Sequence, residues 1–213
     1  FKGGACLRPF AGQPHTKAFA TDIDGDVTAV FAGVSKELER RSQLLAAATA
    51  PRVHDLPIQN RPPLLLVVVD EAQPVLAMPS IAPVIEHIAS RGRSLGVHII
   101  LTGQSLTGIP RSIIGNLGAR FLLGKADPVE MAQLGMARGE VEAVLSDSDW
   151  APATLVTPQR QVRFSFASAG RVGVEKLAQS GEFAIGLDSR FQAKNFQEYG
   201  VQPAHIFDFA TPI

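Results

Sequence analysis

Cysteine is almost missing from this 213-residue chain: Cys6 stands alone, which excludes an intrachain disulfide framework and a cysteine-built zinc site. Net charge is missing too, with twenty Lys and Arg against twenty Asp and Glu. That balance argues against nucleic-acid binding driven by bulk charge and leaves room only for a local basic stripe. Long hydrophobic runs are absent. The longest, Leu64 to Val69, has six residues, far short of the ~20 that a helical membrane span needs. The chain starts on Phe1 rather than Met, and no charged segment followed by an apolar one opens it as a signal peptide would. Two glycine signatures are also lacking. No strand end carries Gly-x-Gly-x-x-Gly, which sets a Rossmann-type dinucleotide enzyme aside. Gly-x-x-x-x-Gly-Lys-Ser/Thr occurs nowhere, since Lys2-Gly3-Gly4 has neither its spacing nor its hydroxyl. The histidines at 15, 54, 87, 98 and 205 show no metal spacing, and no Ser-His-Asp or Cys-His arrangement is suggested locally. What is left reads as a soluble globular piece of something longer, able to bury roughly 70% of its unfolded surface without staples.

The first 24 residues, rich in Gly, Pro and short polar side chains, read as loop. From Asp26, apolar residues at Val27, Val30, Phe31, Val34, Leu38 and Leu45 recur at helical steps, with Lys36, Glu37, Glu39 and Arg40 between them. The spacing predicts an amphipathic helix that closes near Pro51. A proline-rich loop leads to Leu64–Val69, whose unbroken hydrophobicity predicts a strand buried on both faces of a parallel sheet. A helix over Ser80–Ser94, a second buried strand over Val97–Thr102, a short helix over Pro110–Leu117 and a third strand over Arg120–Leu123 follow. Alternating helices and strands predict an α/β fold with right-handed crossovers and helices on both sides of a parallel sheet. Short helices over Pro128–Leu134 and Glu140–Leu145 lead to a hairpin with strands Thr154–Thr157 and Gln161–Phe166. Trp150, Tyr199 and the late phenylalanines read as packing residues. The division expected is a core over residues 1–168 and a small C-terminal extension over 169–213.

Asp70-Glu71 directly follows the apolar run, at the strand end where open α/β sheets bind ligands. In a phosphoryl-transfer enzyme the two carboxylates have separable work: Asp70 would hold Mg²⁺ through a coordinated water, and Glu71 would polarise the attacking water. The plainer reading is that a buried strand simply ends in polar residues. Gln104 ends the neighbouring strand at the same level and can point to the space of a γ-phosphate; an ordinary turn glutamine is the alternative. Arg91-Gly92-Arg93 reads either as a helix C-terminus whose cations meet the dipole or as a contact with a neighbouring subunit. Arg111 and Arg120 are open in the same way.

Phe1-Lys2-Gly3-Gly4-Ala5, Glu39-Arg40-Arg41, Leu66 to Glu71, and Arg91-Gly92-Arg93-Ser94-Leu95-Gly96-Val97-His98-Ile99-Ile100-Leu101 with Gln104 occur in one order and at suitable separations. Together they resemble the FtsK/SpoIIIE translocase family, downstream of its P-loop. The Lys-Gly-Gly-Ala and Arg-Gly-Arg-Ser-Leu-Gly-Val-His strings are most similar to its actinobacterial branch, which includes type VII secretion ATPases of the EccC kind and conjugative plasmid Tra proteins. The resemblance covers about residues 1–135 and extends through the hairpin.

The resemblance implies a RecA-like P-loop NTPase core, working as a hexameric ring with ATP and Mg²⁺ between subunits. Its leading implication is a motor for double-stranded DNA in conjugation or in chromosome or plasmid transfer. Export of a secreted protein substrate and a non-hydrolysing docking module are the alternatives. Relatives carry the P-loop and membrane segments N-terminal to this region, which implies a cytoplasmic position at the inner face of the cell membrane. Carried over by residue, Asp70 matches the Mg²⁺-associated Walker B aspartate, Glu71 the catalytic glutamate, Gln104 the polar residue ending the adjacent strand, and Arg120 an arginine at the start of the next strand that acts as a finger on a neighbouring subunit. The chain departs from the family's pattern at Ser105-Leu106, where relatives have Arg-Pro, and at Val129-Glu130, where they often have Ser-Arg.

Overall fold

A computed structural model describes residues 7–23, 25–146 and 152–165. Phe1 to Ala5, Trp150, Tyr199 and the expected C-terminal extension lie outside the described residues.

Helix α1 runs Val27–Ala47. Asp26 caps it, its carboxylate accepting from the Ala29 N–H at 3.0 Å, so the helix starts where the apolar periodicity starts. One stripe is buried: Phe31, Leu38, Arg41 and Leu45. Strand β1, Leu65–Val69, is followed by the short helix α2, Ala72–Leu76, then α3, Ala82–Leu95, and strand β2, Val97–Leu101. β1 and β2 pair in parallel with Leu65 opposite Val97 and Val69 opposite Leu101, so both strands finish at one level.

The turn from α3 into β2 is tight, and two glycines of the Arg-Gly-Arg-Ser-Leu-Gly string make it so. A Cβ on Gly92 would sit 2.2 Å from the Val97 carbonyl oxygen, an overlap relieved only if the backbone moves. Gly96 ends the helix at φ 65°, the left-handed region that favours glycine. Arg41 locks the same turn from below. Only 2% exposed, it donates to the carbonyls of Leu95, Gly96 and Pro63 at 2.9, 3.1 and 2.7 Å, and pairs with Glu37 at 2.7 Å. A buried guanidinium is tolerable when its donors are satisfied in this way.

The core lies on one face of the parallel pair. Val69 joins Phe31, Val75, Ile81, Ile85 and Ile113, and Val97 joins Leu38, Leu45, Val53, Ile88 and Leu95. The expectation of burial on both faces is not met. Leu66, Val68 and Ile100, at the alternate positions, are 51%, 42% and 48% exposed, because the helices among the described residues pack on the other side of this pair.

Helix α4, Arg111–Asn116, leads to β3, Arg120–Leu123, followed by α5, Pro128–Gln133, α6, Arg138–Ser146, β4, Pro152–Val156, and β5, Gln161–Ser165. β3 does not continue the parallel pair as the alternation predicts. It pairs antiparallel with β4, which pairs antiparallel with β5. The cause is its core: Leu122 packs with Met131, Leu134, Val141, Val144 and Val156, a cluster separate from that under β1 and β2. The hairpin itself forms where the sequence puts it. No helix among the described residues is long and apolar enough to cross a membrane.

Candidate functional site

Asp70 and Glu71 emerge, half-buried, from the C-terminal end of β1. The chain turns sharply there. Glu71 adopts φ 53°, ψ 74° and serves as the N-cap of α2; for a non-glycine residue this left-handed conformation costs about 1–2 kcal/mol, and such strain gathers at working sites. Gln104 reaches across from the segment after β2, and its Nε2 donates to Glu71 Oε1 at 2.9 Å. The three residues expected at one sheet edge, Asp70, Glu71 and Gln104, are therefore adjacent.

Thr102, not singled out from the sequence, ties the edge together. Its Oγ1 donates to Asp70 Oδ1 at 2.5 Å and accepts from the Glu71 N–H at 3.2 Å. That donated bond holds the Asp70 carboxyl below the usual carboxylate range, with burial opposing, so Asp70 is ionised at neutral pH. Gln73 is a second residue missed. Its Nε2 donates to the Ser105 carbonyl at 2.5 Å, and it lies so close over Gly103 that a Cβ there would approach its Oε1 to 2.9 Å. Glu130 is a third: its Oε1 accepts from Ser105 Oγ at 2.5 Å and from the Leu106 N–H at 2.8 Å. The two places where the sequence departs from the family's pattern are thus bonded to each other. No local pattern reveals these contacts, which join residues 24 to 33 positions apart.

Arg120 is not brought to this edge. Its Nε donates to the Ile114 carbonyl at 3.0 Å and its Nη1 to the Leu134 carbonyl at 3.2 Å, so it braces the entry of β3 against the chain around α4 and α5. Arg111 borders an open groove of about 600 Å³ with Asp127 and Glu130. Arg91 lines a shallow hollow against the end of α1.

Among the described residues no group of three or more His, Cys, Asp or Glu is arranged to hold a metal by itself. Mg²⁺ does not require one, since it keeps several waters and is commonly held by one or two carboxylates together with substrate phosphates. An ionised, hard oxygen donor at a strand end fits that use, and Asp70 supplies it.

No protein-family model matches the chain. The ESX-5 secretion system protein EccC5 of Mycobacterium tuberculosis is 26% identical over 137 residues, covering 57% of this chain and 10% of that protein. The ESX-4 protein EccC4 of the same species is 35% identical over 118 residues, or 50% of this chain and 10% of that protein. Among solved structures, EssC (ATPases 2 and 3) of Geobacillus thermodenitrificans superposes with a TM-score of 0.66 at 19% identity, covering 82% of this chain and 34% of that one. The chain is thus similar in sequence to EccC proteins of type VII secretion and in fold to EssC and EccC ATPase domains.

The FtsK/SpoIIIE-like resemblance and the α/β, RecA-like P-loop architecture expected from the sequence are borne out. The pCW3 conjugation coupling protein TcpA, solved with ATPγS, shares the fold with a TM-score of 0.55 at 15% identity, over 65% of this chain and 43% of that one. The chain spans about a tenth of the length of the curated relatives it matches.

Proposed function

We propose that this chain is the carboxylate-bearing part of an ATP-hydrolysing domain that works in protein export of the type VII kind. The observation that carries the reading is the contact at one sheet edge: Glu71, set at a strained turn, is met by Gln104 at 2.9 Å beside an ionised Asp70. The homology to EccC and EssC supports the export branch over the DNA motor that leads from the sequence alone.

ATP with Mg²⁺ is the ligand this edge suits. Mg²⁺, when bound, would offset the charge developing on the transferred phosphoryl group. Asp70 would hold the metal through a coordinated water. Glu71 would accept a hydrogen bond from the attacking water and orient it in line with the γ-phosphate. Gln104, bonded to Glu71 here, would exchange that partner for a phosphate oxygen and so register whether nucleotide is present. Arg120 is left out of this chemistry, because two of its guanidinium nitrogens already donate to carbonyls of its own chain.

In this reading the phosphate cradle is supplied by polypeptide outside this sequence, which holds no Gly-x-x-x-x-Gly-Lys-Ser/Thr. The exposed face of Leu66, Val68 and Ile100 offers apolar surface directly below the acidic edge for such a segment to cover. A ring of subunits, and a position on the cytoplasmic face of a membrane, belong to the same proposal. Its further division is a core over residues 1–168 and a separate extension beyond.

A second reading, transfer of double-stranded DNA, is favoured by the fold shared with a conjugation coupling protein. Zero net charge is compatible with it, because a pore needs only a local basic lining to follow phosphates. A docking module without hydrolysis has less support, as both carboxylates are present and held.

The test is ATP turnover by the full-length protein. Glu71→Gln keeps ATP binding and lowers turnover at least about a hundredfold, the order expected when the group that orients the attacking water is lost; unchanged turnover overturns the assignment. Stimulation by a secreted substrate peptide rather than by duplex DNA favours export, and the reverse favours the second reading.

A further inference from the structure

One residue outside the acidic pair touches four consecutive residues of the candidate site. The Thr102 N–H donates to the Val69 carbonyl at 3.0 Å, and the Thr102 carbonyl accepts from the Ala72 N–H at 2.8 Å. Its hydroxyl donates to Asp70 Oδ1 at 2.5 Å and accepts from the Glu71 N–H at 3.2 Å. The two backbone bonds are available to any residue at this position. The two side-chain bonds are made by one atom that donates and accepts at once, which a hydroxyl oxygen does.

The geometry divides the labour further. A short, charge-assisted bond of 2.5 Å to one oxygen restricts how the Asp70 carboxylate can turn. The Glu71 amide leaves the regular ladder because its residue is left-handed, so it needs a partner outside the backbone pattern. Thr102 supplies both from one oxygen. Its β-branch also limits χ1 to few rotamers, so little freedom remains to be lost when the hydroxyl takes up this pair of bonds.

We infer that Thr102 is a positioning residue of the hydrolytic site, its hydroxyl setting the Asp70 carboxylate and the Glu71 backbone in one fixed arrangement. This rests on the proposed ATP hydrolysis. It adds that the distance between the metal-side and the water-side carboxylates is imposed by the neighbouring strand, not by β1 alone. Partners of this kind, one step removed from the ligand, typically matter about 10- to 100-fold in metal affinity or activity.

The experiment compares Thr102→Val, which keeps the shape and removes the hydroxyl, with Thr102→Ser, which keeps the hydroxyl, in the full-length protein. Thr102→Val lowers turnover about tenfold or more and raises the Mg²⁺ concentration that half-saturates ATP binding by a similar factor, while the melting temperature stays near that of the parent. Thr102→Ser restores both to within about twofold. Amide hydrogen exchange gives a readout that needs no hydrolysis: Thr102→Val speeds exchange at the Glu71 amide and leaves the β1 and β2 core amides unchanged.

Wild-type Mg²⁺ dependence and turnover in Thr102→Val overturn the inference. So does Thr102→Ser failing as badly as Thr102→Val with a matching fall in melting temperature, or unchanged exchange at the Glu71 amide. The failures are separable from those of the parent reading. An inactive Glu71→Gln beside a normal Thr102→Val sinks only the positioning role, whereas a fully active Glu71→Gln sinks the hydrolytic site.

Discussion

The two faces of the β1–β2 pair share one stretch of sequence and differ in almost everything else. Val69 and Val97 are buried in the core under the pair, and Leu65, Val67, Ile99 and Leu101 on the same face are partly buried against it. Leu66, Val68 and Ile100, one step along each strand, are about half exposed. A strand that faces water on one side ordinarily alternates apolar with polar residues. This one is apolar on both sides. The composition therefore suits a sheet covered twice, while the helices within the described residues cover it once. The acidic edge sits at the common end of both faces, where Thr102 ties Asp70 to the Glu71 backbone.

The sharpest contrast comes from matched truncations. Ile85→Ala, at a site with no exposure and in contact with the covered face, destabilises the chain by about 2–5 kcal/mol in urea unfolding. Gly92→Ala attacks the same side through the α3–β2 turn, where the added methyl meets the Val97 carbonyl. It costs about 1–3 kcal/mol as the helix backs away. Val68→Thr or Ile100→Thr on the outer face changes the stability of this chain by only about 0.5 kcal/mol. If the full-length protein covers that face, the same two substitutions cost more there than here, and equal costs break the comparison.

The smallest expected effect is in acid. Glu37 is pulled down to about 2, chiefly by its hydrogen bond from Arg40 and further by Arg41, with burial opposing. A carboxyl whose folded pKa is depressed stabilises the fold above its unfolded value, near 4.5, and that contribution is lost as pH falls towards about 2. Glu37→Gln should flatten this part of the stability–pH curve.

Much of the fold is legible because its signals are local. The cap and periodicity of α1, the run that becomes β1, and the bounds of β3 all follow from neighbouring residues. Asp70 and Glu71 are legible for the same reason, being attached to the run. Other features are not. Helix α2 contains Pro74 and is entered through a left-handed glutamate, neither of which announces a helix. β3 is only four residues long, too short to encode its partner, and it pairs with a strand that begins 29 positions after it ends. Arg41 is marked in the sequence only as part of Glu39-Arg40-Arg41, and nothing local shows that three backbone carbonyls surround it. Thr102 and Glu130 act through bonds to distant chain segments, and composition carries no trace of those. Arg120 is open in the sequence between a structural arginine and a finger, and only the fold reveals the two carbonyls that its guanidinium touches.

The most direct test of the central claim is a structure of the full-length protein bound to Mg²⁺ and a non-hydrolysable ATP analogue. The account predicts the γ-phosphate at the shared end of β1 and β2, a metal-bound water on Asp70, and Glu71 facing the water opposite the β–γ bridge. A nucleotide bound elsewhere, with Asp70 and Glu71 engaged only by Thr102 and Gln104, would contradict it.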